Sequence, residues 1–333
     1  MHADALTEPR RPSLRRLLSC LPVLVALWMV DGWLSRDGYA GWERNSVRNS
    51  ERRWDPRKSA KVAILGSSTS KDWLPGQLIE KVLKLPRRSV VDAHINGCHQ
   101  GCTYAEVRRM IQRGHRYDTV FFGTNLFQLC EFAHSKRVLQ QQMMTPTTDV
   151  ARLFGLYLSA EQPLQYIGRF LGMRVSGAYG DTAAVRADLG RRVLGEGKRG
   201  QAHRWHRPRV ERSDEPLTCA YDDDSVALKR AFTEALLDDL GGMADHVYLM
   251  VLPDRTLALD DPAIRASWAK HLAMHRAIAD ARPHVTLVDL VTDGVDDPRK
   301  YRDGFHLNAR GIRDQQALFE KRMKAILAAG GEP

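Results

Sequence analysis

The chain holds only five cysteines in 333 residues. Three residues, Cys98, His99 and Cys102, sit close enough to suggest a metal, but no second ligand pair at a recognised spacing accompanies them, so no metal is expected. A disulfide or buried free thiols both remain open for the remaining cysteines, Cys98, Cys102, Cys130 and Cys219. No internal repeat is visible, which excludes a repeat architecture. No recognised nucleic-acid module is readable, so nucleic acid ranks last among the partners of a basic chain, and nothing implies a cofactor. Acidic excess is also missing: 50 Lys and Arg stand against 40 Asp and Glu, a formal net charge of +10. Arginine is concentrated in the first sixty residues and again between Arg186 and Arg212, which fits contact with an anionic surface such as phospholipid or acidic glycan. A hydrophobic share of 43% excludes disorder across the whole chain.

One long apolar run is present. Arg10, Arg11, Arg15 and Arg16 precede an apolar stretch from Leu17 to Leu34, about 18 residues or roughly 27 Å of helix, close to the thickness of a bilayer core. Asp31 falls near the exit interface, where a charge costs far less than at mid-membrane. No small-x-small cleavage site follows, so the run is expected to be a retained signal anchor. Leu17-Leu18-Ser19-Cys20 is like a lipoprotein box but lies at the start of the apolar run rather than its end. Residues 1–16 then form a basic N-terminal segment and residues 35–60, polar with Trp42 and Trp54, a juxtamembrane linker. The bulk of the chain is expected outside the cytoplasm.

From Lys61 short apolar runs alternate with helical stretches, the pattern of a parallel sheet. Strands are predicted at Val62–Leu65, Val90–Ile95, Thr119–Phe122, Val247–Leu252 and Val285–Leu290. Helices are predicted at Pro75–Leu83, Tyr104–Arg113, Ser225–Leu240, Ala263–Arg282 and Arg310–Leu327, with Asp261-Pro262 as cap and first-turn proline. The expected fold is an α/β three-layer sandwich around a five-stranded parallel sheet, flavodoxin-like, spanning residues 61–330. Its sites form at the carboxyl ends of the strands. An insertion at about 131–220 interrupts the alternation. It contains an amphipathic helical stretch, Val150–Met173, and a basic stretch from Lys198 to Arg209 around Trp205, read either as a solvated loop or as a lid or docking arm.

The chemistry-bearing residues fall at the ends of this pattern. Asp303 precedes His306 by three residues in Asp303-Gly304-Phe305-His306, just before the last helix. On a turn, that spacing lets Asp303 accept the His306 Nδ1–H and leaves Nε2 free as a base. A hydroxyl for it lies in Gly66-Ser67-Ser68-Thr69-Ser70, directly after the first strand. An Asp-x-x-His also occurs in ordinary surface turns and Gly-Ser-Ser in ordinary loops; their joint placement gives the pair its meaning. Asn96 through Gly101 follow the second strand and Gly123-Thr124-Asn125 the third. A glycine N–H and an asparagine amide are the donors an oxyanion requires.

In these four blocks the chain resembles the SGNH (GDSL-type) hydrolase superfamily, including its membrane-anchored envelope branch of polysaccharide O-acetyltransferases and esterases. The resemblance covers residues 61–327 in block order, leaving 131–220 unmatched. It implies Ser68 as nucleophile, His306 as base, Asp303 as its orienter, and Ser68, Gly101 and Asn125 as oxyanion donors. Two positions depart from the family pattern: Ser67 and Leu126 stand where aspartates are usual. The implied function is an envelope-anchored serine acyl-ester hydrolase or O-acyltransferase, acting on an acylated cell-surface polysaccharide alongside polysaccharide biosynthesis proteins. A non-catalytic glycan-binding component of an export machine and a membrane-surface lipase or thioesterase are the alternatives. If residues 17–34 anchor the mature protein, N-terminal sequencing of the membrane fraction reads a start before Leu17; a mature chain beginning beyond Leu34 overturns the anchor.

Overall fold

Strands buried on both faces have no polar side, and Val62-Ala63-Ile64-Leu65 has none. In the computed structural model, which describes residues 50–55, 60–98, 100–126, 145–160, 168 and 223–330, all four of these side chains are buried. They form β1 (Val62–Leu65), followed by α1 (Ser68–Trp73), α2 (Gly76–Val82), β2 (Val90–Asp92), α3 (Gln100–Gln112) and β3 (Tyr117–Asn125). After the partly described insertion, with α4 (Val150–Ser159), come α5 (Asp223–Met243), β4 (Ala244–Leu252), α6 (Pro262–Asp280), β5 (Val285–Asp289) and α7 (Ala309–Ala328). The five strands make one parallel sheet in the order β2-β1-β3-β4-β5. The order reverses direction after β1, so a crevice opens where the carboxyl ends of β1 and β3 diverge toward their helices.

Each face of the sheet is covered by helices whose apolar stripes match it. On one side Trp73, Leu78 and Ile79 from α1–α2 and Phe319 and Met323 from α7 pack with Ile64, Phe121, Tyr248 and Met250. On the other, Phe232 of α5 meets the rings of Tyr104 from α3 at 5.7 Å and Tyr157 from α4 at 6.0 Å. Arg108 of α3 binds Asp149 with two hydrogen bonds of 2.9 Å and reaches Asp239 of α5, which fastens residues 147–159 to this face. Asp261 caps α6 by accepting from the Ala263 amide at 2.8 Å, ahead of Pro262 at the first helical position.

Beyond small shifts at element ends, three stretches differ from expectation. The serine-rich stretch after β1 is helical from Ser68, because Ser67 occupies the N-cap position and accepts from the Thr69 amide. Helix α3 begins at Gln100 rather than Tyr104. Residues 50–54, assigned to a polar linker from composition, form instead a helical turn docked on the domain. Arg53 Nε donates to the carbonyl of Asp92 at 2.9 Å and its Nη2 to that of His94, while Ser50 Oγ donates to that of Ala93 at 3.0 Å. Among the described residues β2 is an edge strand, and these side chains satisfy carbonyls on it and on its extension that no further strand pairs. The predicted anchor at residues 17–34 and most of the 131–220 insertion lie outside the described residues. Among those described, no helix is long and apolar enough to cross a membrane.

The same docked turn buries an acid. Glu106 Oε1 of α3 lies in hydrogen-bond contact with Ser50 Oγ and accepts from Trp54 Nε1 at 3.1 Å. Burial pushes its carboxyl up to about 8, against the lowering effect of those hydrogen bonds and of Arg53. A folded-state value above the unfolded one means the native protein holds a proton that the unfolded chain releases. Stability therefore falls as pH rises from about 4.5 to about 8, by up to roughly 1.4 kcal/mol per pH unit. Thermal melts across this range should show that decline in the native protein and a flatter profile in Glu106→Gln, which keeps the neutral shape at every pH.

Candidate active site

The turn from β1 into α1 is built by close packing. Gly66 has φ of 129°, a backbone conformation that side chains rarely adopt, and a Cβ there would meet the Gly123 carbonyl oxygen at 2.8 Å as well as the Ser70 hydroxyl. Gly123 is equally crowded, with Leu252 Cδ1 2.9 Å from where its Cβ would stand. Ser70 fills the space between the two glycines and donates to the Gly123 carbonyl at 3.4 Å. The chain thus leaves β1 through a tight bend, and Ser68 emerges at the first position of α1, half-buried, while its neighbours Ser67, Thr69 and Ser70 are buried.

The opposing wall is a small hairpin before α7. Tyr301 and Leu307 form an antiparallel bridge, the Arg302 amide donates to the His306 carbonyl at 2.9 Å, and the Tyr301 hydroxyl donates to the Val295 carbonyl at 2.7 Å. At the tip, Asp303 Oδ1 accepts from the amides of Phe305 at 2.9 Å and His306 at 2.7 Å, which folds the tip over its carboxylate. The Arg255 amide, just beyond β4, donates to the Gly304 carbonyl at 3.3 Å and ties the tip to the sheet. Asp254 holds that segment through its own bond from the Thr256 amide at 2.9 Å.

These two walls bring three of the predicted residues together. Ser68 Oγ lies 2.9 Å from His306 Nε2, across 238 residues of sequence, and His306 Nδ1 lies 2.9 Å from Asp303 Oδ2. With Nδ1 carrying the proton toward the carboxylate, Nε2 is the acceptor for the serine hydroxyl. Partial burial alone would raise the Asp303 carboxyl; the hydrogen bonds from the His306 ring and amide and from the Phe305 amide outweigh it and hold it at about 2. It is therefore ionised throughout the neutral range and available to stabilise an imidazolium. A second carboxylate–imidazole pair, Asp92 with the buried His94, has its ring Nδ1 against Asp92 at the end of β2. What distinguishes His306 is the serine hydroxyl on its other nitrogen.

The predicted oxyanion donors lie on the neighbouring elements. Ser68 and Gly101 stand in the first turns of α1 and α3, where backbone N–H groups have no intrahelical partner. Asn125, the last residue of β3, is 1% exposed, and its amide nitrogen donates to Thr69 Oγ1 at 3.3 Å. Thr69 in turn contacts Ser67 Oγ at 2.8 Å, so the hydroxyls flanking Ser68 form a brace between α1 and β3. Nothing in the sequence signals this brace, because a run of hydroxyls looks like an ordinary loop. At the two positions that depart from the family pattern, Ser67 caps the helix and Leu126 packs in an apolar cluster with Val251, Trp268 and Val291.

Cys98 and Cys102 are joined in a disulfide, and among the described residues no group of three or more His, Cys, Asp and Glu side chains is placed to hold a metal ion.

No family model matches the chain, and no curated protein matches it. Among solved structures, it is similar to a protein of Bacteroides fragilis provisionally described as an acylhydrolase, with 13% identity over 88% of this chain and 100% of the other, at a TM-score of 0.42. It is also similar to one of Streptococcus pneumoniae provisionally described as a platelet activating factor, with 11% identity over 90% and 99% and a TM-score of 0.39. At these values the fold and the site stand on the geometry above alone.

The Asp303–His306 pair is checked by a double-mutant cycle on ester hydrolysis, with circular dichroism as folding control. Asp303→Asn should lower turnover by roughly 10⁴, His306→Ala at least as much, and the double variant little more than the worse single. Mild and additive losses would reduce the motif to an ordinary surface turn.

Proposed function

We propose that this protein is an SGNH-type serine acyl-ester hydrolase or O-acyltransferase. One observation carries the reading: a hydroxyl, an imidazole and a carboxylate in line, Ser68 Oγ to His306 Nε2 at 2.9 Å and His306 Nδ1 to Asp303 Oδ2 at 2.9 Å. Support also comes from the order of the blocks on the sheet, with serine after β1, glycine after β2, asparagine ending β3 and the Asp-x-x-His before the last helix. That is the arrangement the sequence resemblance implies.

In this reading Ser68 Oγ attacks the ester carbonyl as His306 Nε2 takes its proton, forming a C–O bond and a tetrahedral oxyanion. The N–H groups of Ser68 and Gly101 and the Asn125 amide donate to that oxygen. Collapse expels the alcohol, which receives the proton from His306, and leaves an acyl-serine. His306 then activates water, giving a hydrolase, or a sugar hydroxyl, giving a transferase.

The acyl group in this reading is a short one, acetyl, on a cell-surface polysaccharide, handled by an enzyme held at the outer face of a membrane by residues 17–34. The arginine-rich composition and the basic N-terminal segment favour an anionic surface or glycan as the setting. A glycan-binding component without catalysis has no need of three aligned triad groups. A lipase or thioesterase remains the second reading, favoured by the leucine-rich Val150–Ser159 helix, whose Leu158 is 54% exposed.

Incubation with a fluorophosphonate should label one serine, and peptide mapping should place the adduct on Ser68. Ser68→Ala should abolish labelling and lower ester turnover by on the order of 10⁶ without loss of fold. Acetyl esters should be preferred over long-chain esters in a substrate panel; the reverse order would favour the lipase reading. Near-normal activity in Ser68→Ala would remove the nucleophile assignment.

A further inference from the structure

We propose that the Cys98–Cys102 disulfide is a positioning element of the oxyanion hole, so that acyl transfer requires the oxidised protein. This inference rests on the hydrolase reading and adds to it a chemical condition on the chain.

The bridge spans the turn from β2 into α3. It closes a ring of backbone between positions four apart, and that ring contains Gly101, the proposed oxyanion donor. Its two half-cystines are each 1% exposed and pack against Ile95 in a small buried cluster. A second tether runs from inside the ring: Gln100, also 1% exposed, donates from Nε2 to Thr124 Oγ1 at 3.1 Å. Thr124 directly precedes Asn125, so the bridge and the Gln100 bond together couple the two donors that lie outside α1. Among the described residues, the buried Gln100 Oε1 has no hydrogen-bond partner. A buried amide that leaves one end unsatisfied is costly.

The need for a covalent tie follows from the local backbone. Gly97 sits at φ of 66° and Gly101 is itself a glycine, so this turn has more conformational freedom than most. First-turn amides of a helix lack intrahelical partners, and helix ends fray. An oxyanion donor that drifts by about 1 Å costs on the order of 10² in rate. The disulfide removes that drift. A dithiol reductant would break the Sγ–Sγ bond, give one proton to each sulfur and leave as a cyclic disulfide. The fold would persist on its sheet while the Gly101 N–H lost its fixed aim.

The test uses the full chain. Oxidised protein and the Cys98→Ala/Cys102→Ala variant are compared for kcat and KM on p-nitrophenyl acetate, for fluorophosphonate labelling of Ser68, and for Tm. The variant should lose on the order of 10² in kcat with KM within about threefold, and still be labelled stoichiometrically, more slowly. A bridge that served stability alone would lower Tm and leave kcat at 25 °C unchanged, and that outcome overturns the proposal. To cover a variant that fails to fold, dithiothreitol is titrated against native protein, with mass spectrometry counting thiols at positions 98 and 102. Turnover should fall in step with their appearance, at constant circular dichroism, and recover on reoxidation; full turnover with both thiols free overturns the proposal. If oxidised wild-type protein neither labels nor hydrolyses any ester, the hydrolase reading fails and this inference fails with it. Loss confined to the reduced form separates the two.

Discussion

Ser70 packed between two glycines is the contact on which the site depends. Because neither Gly66 nor Gly123 has a Cβ, the serine hydroxyl can lie directly on the backbone of β1 and β3, and the chain must bend where it does. The bend sets the start of α1, and Ser67 caps that helix so that Ser68 falls at its first position. Any side chain at either glycine would push α1 away from β3 and carry the serine hydroxyl out of reach of His306. The Ser70 hydroxyl therefore matters as much to the placement of Ser68 as the glycine before it.

The site is a meeting of the ends of several elements. α1 and α3 bring their first-turn amides, β3 brings Asn125, and the hairpin before α7 brings the base and its carboxylate. Each end is held by bonds that do not touch the reacting atoms: Thr69 to Asn125, Gln100 to Thr124, and the Arg255 amide to Gly304. The parallel register of β1 against β3, with Leu65 beside Phe122, brings the bend at Gly66 level with Gly123. A proton can then pass between side chains that begin 238 residues apart in sequence.

Much of this was legible from residues alone. Strands of uniform apolar character, helix caps such as Asp261 and the spacing in Asp303-Gly304-Phe305-His306 are local signals, and all five strands and five helices appear where those signals lie, with ends shifted by a few residues. The shifts have causes. β3 and β4 extend beyond their apolar centres because parallel pairing continues through Tyr117, Thr124 and Asn125, whatever their polarity. Residues 50–54 read as linker because arginines and a tryptophan look solvent-bound; here the arginine caps a sheet edge and the tryptophan is 1% exposed.

The sequence by itself determined where a hydroxyl, an imidazole and a carboxylate fall relative to the elements and the order in which the strands and helices follow one another, because both are matters of side-chain type and short-range periodicity. Tertiary structure alone decided the sheet order β2-β1-β3-β4-β5, the pairing of Cys98 with Cys102, the brace of Ser67, Thr69 and Asn125, and the burial of Glu106. Each of these joins groups that local preference does not connect. A hydrophobic pattern says that a surface must be buried but does not name its partner, and a hydrogen bond depends on an alignment to within a fraction of an ångström that only the packed chain supplies.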